Sequence, residues 1–423
     1  MDEHFIIRGG KPLNGSIEIR GSKNAALPFI AACLLTDEPC TLENVPAISD
    51  VKTMQDIAAG LGADISWNAS KHHLTIAAKH LTGYAPDETL SRKLRGSILF
   101  AGALLGRLRK TALPYPGGDA IGARPVGAHL AAFEALGVKI SEERVIELDG
   151  RELKGNNVLM AEPSVTATEN IILAAVLAPG RTVISLGALE PHVQELILFL
   201  QKMGADIRWS HIARIEIAGV PRLHGATHRI NPDELEISGF AALAGATRSE
   251  MAIRGIRRDY LDAVLLQLAK MGVQFTLADD EMRIHKPSAG YKGFRIQSGL
   301  YPKLGSDHLP PFAVLATQAE GTSLIHDWMY EHRLRYLQEL QKMGANCEIL
   351  DPHRARITGP TVLFGCPIDS LDIRSGMTLV IAALVADGES TIAHINHIDR
   401  GYENIDGRLR ALGADIERVK SNE

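Results

Sequence analysis

No apolar run in this chain is long enough to span a bilayer. The opening Met1-Asp2-Glu3-His4 lacks the basic start of a secretory signal, so a cytoplasmic location is expected. Its four cysteines, Cys33, Cys40, Cys347 and Cys366, form no CxxC pair, and their scatter fits reduced thiols rather than a disulfide framework. Sixteen histidines occur without an HExxH or similar ligand spacing, so neither a metal nor another cofactor is expected. There is no cationic excess: the formal net charge of -5 argues against broad nucleic-acid binding, and any anion site must be local. Small-molecule substrates are the expected partners, and no obligate protein partner is evident.

What the chain has is repetition. At Gly62, Gly137, Gly204, Gly272, Gly344 and Gly413 a helix-like segment ends in Leu-Gly or Met-Gly and gives way to a short β-like run. A period of roughly 70 residues implies a complete supersecondary unit in each copy. Each copy also holds a short stretch of small and apolar residues: 25–35, 98–105, 171–177, 240–246, 311–316 and 377–385. Segments apolar on every side predict helices buried on every side. A strand follows each, usually opening on a hydroxyl residue, as at Thr41, Thr111, Thr182, Ser323 and Thr391, whereas the fourth copy has Met251-Ala252. The repeat therefore reads apolar helix, strand, amphipathic helix capped by glycine, and one or two further strands. At 423 residues the chain exceeds what one core supports, and six copies divide into two α/β domains of three.

Polar residues collect just before the apolar stretches: Gly21-Ser22-Lys23-Asn24, Arg95-Gly96-Ser97 and Asp372-Ile373-Arg374-Ser375-Gly376. A cation at a helix start opposes the local dipole unless an anion binds there. Taken singly such cations read as solvated turn charges. Lys23, between a turn and an apolar run, fits that reading poorly. A glycine-rich loop, Leu113-Pro114-Tyr115-Pro116-Gly117-Gly118-Asp119-Ala120-Ile121-Gly122-Ala123-Arg124-Pro125, precedes a helix that Pro125 is placed to start at its first position. Its backbone N–H groups could approach a phosphate.

Together with 21–28, Asn44-Val45-Pro46, Ile7-Arg8-Gly9-Gly10 and His397-Ile398-Asp399-Arg400-Gly401-Tyr402-Glu403, that loop resembles the enolpyruvyl transferase family, in particular its UDP-N-acetylglucosamine-using branch. The resemblance runs from the first strand to the last helix. It implies two inside-out α/β domains, each of three repeated units around buried helices, with the active site in the cleft between them. One domain would span 23–231 and carry the Asp119 loop; 1–22 plus 232–423 would form the other. Asn231-Pro232-Asp233 is a plausible crossing point, since proline resists continuation of an element.

By the same resemblance the enolpyruvyl group of phosphoenolpyruvate passes to the 3-hydroxyl of UDP-N-acetylglucosamine and phosphate leaves, the first committed step of peptidoglycan synthesis. Lys23, Arg124 and Arg400 would hold the phosphate; Arg333 and Arg374 would hold the carboxylate, which suits a guanidinium fork. Asn24 and Arg95 would contact the sugar nucleotide, as would Pro125, Val126, Ser164 and Val165, with Asp372 and the backbone at Met329 completing the substrate contacts. Asp307 would take the hydroxyl proton. Asp119 stands where most of the family has a cysteine that donates the proton to C3 and is alkylated by fosfomycin; an acid there implies turnover without sensitivity to the drug. The competing reading of Asp119 is a turn-forming acid.

Other departures concern the acceptor. Gly127-Ala128 replaces the usual Asp-Leu, Glu162 a lysine near the diphosphate, and Thr166 a glycine. They leave open a different hydroxyl acceptor, and a non-catalytic sugar-nucleotide-binding paralogue that regulates a partner.

Overall fold

The computed structural model describes residues 3–420, and the chain separates into two compact units. A central unit comprises Gly21–Asp119 and Arg124–Asn231; a terminal unit comprises Met1–Arg20, Ala120–Ala123 and Pro232–Glu423. Two details differ from the sequence expectation. The first crossing falls after Arg20, because Ser22 N–H already bonds to Asn231 O at 2.8 Å while Asp233 N–H bonds to Arg20 O at 2.9 Å. Part of the Asp119 loop, Ala120–Ala123, counts with the terminal unit, where Ala123 N–H donates to the Glu331 carboxylate at 2.8 Å and His332 N–H to Ile121 O at 3.0 Å.

Three apolar helices fill the core of the central unit: Lys23–Ala32, Phe100–Leu108 and Val165–Ala175. Glu234–Ala246, Leu309–Thr317 and Ile373–Val385 do the same for the terminal unit. Every residue of Glu234–Ala246 and of Leu309–Thr317 is buried, as the lack of a polar face requires. The amphipathic helices lie outside them and end at the predicted glycines. All six glycines have positive φ, between 86° and 103°, a conformation that costs side-chain-bearing residues about 1–2 kcal/mol.

Each unit has three sheets. Within the first repeat, strand Cys40–Glu43 pairs antiparallel with His73–Ala77, which pairs with Asp64–Asn68, while Thr227–Arg229 joins the other edge in parallel. The first repeat thus borrows its last strand from the end of the third. In the terminal unit the N-terminal segment closes the ring twice. Asn14–Glu18 lies parallel to Glu250–Arg254, and Glu3–Arg8 inserts antiparallel between Glu389–Ala393 and Asp415–Lys420. That inserted strand takes the place a local hairpin strand holds in the other sheets. The strand of the fifth repeat begins at Ala319, four residues before the expected Ser323.

The helix after the glycine-rich loop corrects another expectation. It spans Gly127–Ala135 with Val126 as its cap, so Pro125 precedes the helix instead of opening it. The Pro125 carbonyl is instead turned to accept from Arg95 Nη2 at 3.1 Å.

Close packing in the central core depends on Gly102. A Cβ there would sit 2.2 Å from the Asn170 carbonyl oxygen, and its N–H donates to Asn170 Oδ1 at 2.7 Å. Gly102→Ala is expected to destabilise the protein by about 3 kcal/mol, the upper end of ordinary overpacking. A urea midpoint unchanged from the parent's would contradict this close approach.

Candidate functional site

Because the bodies of the buried helices are sealed, only their starts can display chemistry, and the polar residues singled out above lie there. In the central unit Ser22 caps the first helix, its Oγ accepting from Ala25 N–H at 3.4 Å, and Lys23 occupies the first helical position. Lys23 is buried, with its ammonium 2.7 Å from Asp50, itself buried at the start of helix Ser49–Gly60. Burying this cation requires such a carboxylate. Asp50 was not among the sequence candidates, since an acid in a helix's first turn looks like an ordinary dipole contact. Asn24 follows, half-buried.

The turn Arg95–Leu99 packs on the first buried helix. A Cβ at Gly118 would lie 3.1 Å from both Arg124 Nη2 and Arg95 Cβ, so the loop beside Asp119 is pressed against both arginines. Arg124 Nη2 donates to the Asp119 carbonyl at 2.6 Å. Arg95, Asp119, Arg124, Pro125 and Val126 therefore form one neighbourhood. Ser164 begins the third buried helix without a side-chain capping bond, followed by Val165 and Thr166.

Behind these residues sits His129, buried and without a role in the sequence reading. Its Nε2 lies 3.0 Å from Thr166 Oγ1 and its Nδ1 2.9 Å from Asn170 Nδ2. Burial, helped by the positive Arg95, pushes its pKa down to about 3. The signal in the sequence was weak: a lone histidine four residues past a proline.

The terminal unit holds a denser cluster. Arg333 and Arg374 are both buried, and both bond to Asp307: Arg333 through Nη2 and Arg374 through Nε at 3.3 Å. Arg333 Nη1 also reaches Asp372 at 3.4 Å. Asp372 Oδ1 caps the sixth buried helix through the N–H groups of Arg374 and Ser375, at 2.9 and 3.1 Å. This capping box holds the Arg374 backbone at the helix start. Arg374 Nη1 donates to Tyr402 Oη at 3.1 Å, and Arg400 lies two residues before that tyrosine, at the end of the short helix Asn396–Asp399.

Burial alone would lower the Arg333 pKa, but Asp307, Asp372 and Asp327 outweigh it and the net shift is upward. Arg374 shifts the same way, with Tyr402, Asp307 and Asp233 overcoming desolvation. Both remain cations.

Asp327 was also missed. It is fully buried, accepts from the hydroxyls of Ser306 and Ser298, and takes Met329 N–H at 2.9 Å. Ser306 Oγ in turn accepts from Arg333 Nε at 3.3 Å. The network joins Asp307, Met329, Arg333, Asp372 and Arg374. Among the described residues no group of three or more His, Cys, Asp or Glu is placed to hold a metal ion, and no helix is long and apolar enough to cross a membrane. All four cysteines are free.

Residues 7–409 match the family model of EPSP synthase (3-phosphoshikimate 1-carboxyvinyltransferase). A UDP-N-acetylglucosamine 1-carboxyvinyltransferase of Bradyrhizobium diazoefficiens is 42% identical over 426 residues, covering 98% of each chain. One of Treponema denticola is 40% identical, again covering 98% of each. Among solved structures, the enolpyruvyl transferase NikO from Streptomyces tendae aligns over the whole of both chains with a TM-score of 0.91 at 23% identity. An EPSP synthase from Acinetobacter baumannii aligns with a TM-score of 0.75 at 17% identity, covering 99% of this chain and 100% of that one. The two structures share this chain's fold.

His129 gives this region a pH signature. An unfolded histidine takes up a proton as pH falls below about 6.5, whereas the folded chain resists protonation until about 3. Acidification through that window therefore favours the unfolded chain. His129→Gln, which retains one donor and one acceptor, is expected to show a shallower fall in unfolding free energy between pH 7 and pH 4. Equal slopes in urea titrations of the two proteins would rule out a neutral buried ring.

Proposed function

The chain belongs to the enolpyruvyl transferase family and is a transferase, and from that premise we propose that it moves the enolpyruvyl group of phosphoenolpyruvate to the 3-hydroxyl of UDP-N-acetylglucosamine. The observation that carries the proposal is the Arg333–Asp307–Arg374 network: two buried guanidiniums able to grip a carboxylate, bonded to a carboxylate able to accept a proton. The curated relatives' printed activity supports the choice of acceptor.

Lys23, Arg124 and Arg400 hold the phosphate, and Arg333 and Arg374 take the carboxylate of phosphoenolpyruvate, releasing Asp307 toward the sugar. Asp307 accepts the proton of the 3-hydroxyl as its oxygen bonds to C2, while Asp119 gives a proton to C3. The addition product then returns a C3 proton to the Asp119 carboxylate as the C–O bond to phosphate breaks, and the proton held by Asp307 leaves with the phosphate, giving the enol ether and inorganic phosphate. The cations stabilise negative charge on phosphate and carboxylate throughout. Asn24, Arg95, Pro125, Val126, Ser164, Val165, the Met329 backbone and Asp372 complete the substrate contacts. The product would be the first committed precursor of peptidoglycan.

A second reading keeps the chemistry and changes the acceptor. A Cβ at Gly127 would meet no atom within 4 Å, so the side chain lost there has not been replaced by packing from elsewhere. That open space, together with Glu162 in place of a lysine, favours an acceptor shaped differently around its nucleotide. Phosphate release from phosphoenolpyruvate across a panel of hydroxyl acceptors separates the two. Turnover with another acceptor and none with UDP-N-acetylglucosamine would decide for the second.

Asp119→Asn should lower kcat by about 10²–10⁴-fold, the ordinary contribution of a positioned general acid. Fosfomycin requires a nucleophilic thiolate, so the parent is expected to resist it and Asp119→Cys to acquire time-dependent inactivation. Inactivation of the parent by the epoxide, or undiminished turnover in Asp119→Asn, would remove Asp119 from the mechanism.

A further inference from the structure

The two oxygens of Asp327 serve different partners. Oδ1 accepts from the N–H groups of Met329 and Tyr330, at 2.9 and 3.2 Å, and from Ser298 Oγ at 3.3 Å, which shapes the turn that follows. Among the described residues Oδ2 accepts only from Ser306 Oγ. The carboxylate is fully buried and makes no direct ion pair with a described residue, so these bonds stand in for its lost hydration. The turn needs only the first oxygen.

The second oxygen leads to Arg333. A carboxylate accepts and cannot donate, so the Ser306 hydroxyl hydrogen is directed to Asp327 and a lone pair of its oxygen faces Arg333 Nε–H, 3.3 Å away. Tyr330, whose N–H is held by Oδ1, places its ring 5.5 Å from the same guanidinium. Arginine carries five N–H donors, and on Arg333 one hydrogen of each nitrogen is taken: Nε by Ser306, Nη1 by Asp372 and Nη2 by Asp307. One hydrogen on each terminal nitrogen is left without an acceptor among the described residues, although Arg333 is only 3% exposed. A buried pair of such donors suits an anion with two oxygens.

We propose that Asp327 is a positioning residue for the reaction. Acting through Ser306, it pins the Nε edge of Arg333, so that the two uncommitted N–H groups are presented as a fork to the carboxylate of phosphoenolpyruvate. This rests on the enolpyruvyl transfer reading above and is independent of which hydroxyl acceptor is used.

Phosphate-release kinetics on the parent, Ser306→Ala, Asp327→Asn and the double variant test the idea, with whichever acceptor supports turnover held at saturation. Each single change should raise KM for phosphoenolpyruvate by about tenfold to a hundredfold, the effect of losing a bond to a charged group. The kcat should stay within about threefold, as fits a loss of substrate grip. Because both residues act through one chain of bonds, the double variant should be no worse than the larger single. If Asp327→Asn folds poorly, Ser306→Ala is compared in the parent and in Arg333→Lys, which keeps the charge and lacks the Nε–H; there it should change KM, or the calorimetric Kd where turnover is slow, by less than about twofold. An active parent whose KM is unmoved by Ser306→Ala, effects that add in the double variant, or an equal effect in Arg333→Lys would overturn the role of Asp327 and leave the proposed chemistry standing. A parent that releases no phosphate from phosphoenolpyruvate with any acceptor would overturn both.

Discussion

The constraint on which the rest depends is that three helices in each unit are enclosed on every side. An element with no exposed flank admits a polar residue along its length only where a buried partner meets it, as Gly102, Ile98 and His129 meet Asn170, so side chains open to a ligand are left at its start. Lys23, Thr166 and Arg374 occupy such turns, while Arg95, Ser164, Asp307 and Asp372 lie just before them. Even the fourth helix, to which no substrate role is assigned, starts with Asp233, Glu234 and Glu236, and Glu236 is paired with Arg408. Helix starts are rich in unpaired N–H groups, which suits the anion-holding role proposed for the residues gathered there.

Such enclosure has a cost in desolvated charge. Lys23, Arg333 and Arg374 are all buried, and each has a carboxylate bonded to it: Asp50 for the lysine, Asp307 for both arginines. Around Arg333 and Arg374, neighbouring acids outweigh the desolvation that would otherwise disfavour charge. They also hold the cations in place before any ligand arrives, so little reorganisation is left for binding.

Much of this was legible in the sequence because it is local. Leu-Gly and Met-Gly mark helix ends through a backbone angle that glycine adopts without strain, and all-apolar stretches mark the cores through composition alone. The network around Asp307 was foreshadowed by motif resemblance, residue by residue. What could not be read is whatever depends on distant parts of the chain. Asp50 and Asp327 are ordinary acids until folding brings Lys23 and Ser306 to them, and His129 gains its partners Thr166 and Asn170 only when the third buried helix packs beside it. Pro125 was misplaced by two positions relative to its helix because its carbonyl is claimed by a side chain thirty residues earlier. Assigning the loop by sequence continuity failed for Ala120–Ala123, whose hydrogen bonds are to Glu331 and His332.

The strand Glu3–Arg8 is made long before Glu389–Ala393 and Asp415–Lys420, the two strands that flank it in its sheet. Translation at about 5–20 residues per second separates these partners by tens of seconds. The central unit, in contrast, has all of its strands once Asn231 has left the ribosome. During synthesis the cell therefore holds a nascent chain whose middle can be finished while its leading edge still waits for a neighbour, and that waiting strand is the segment a chaperone has most reason to shield.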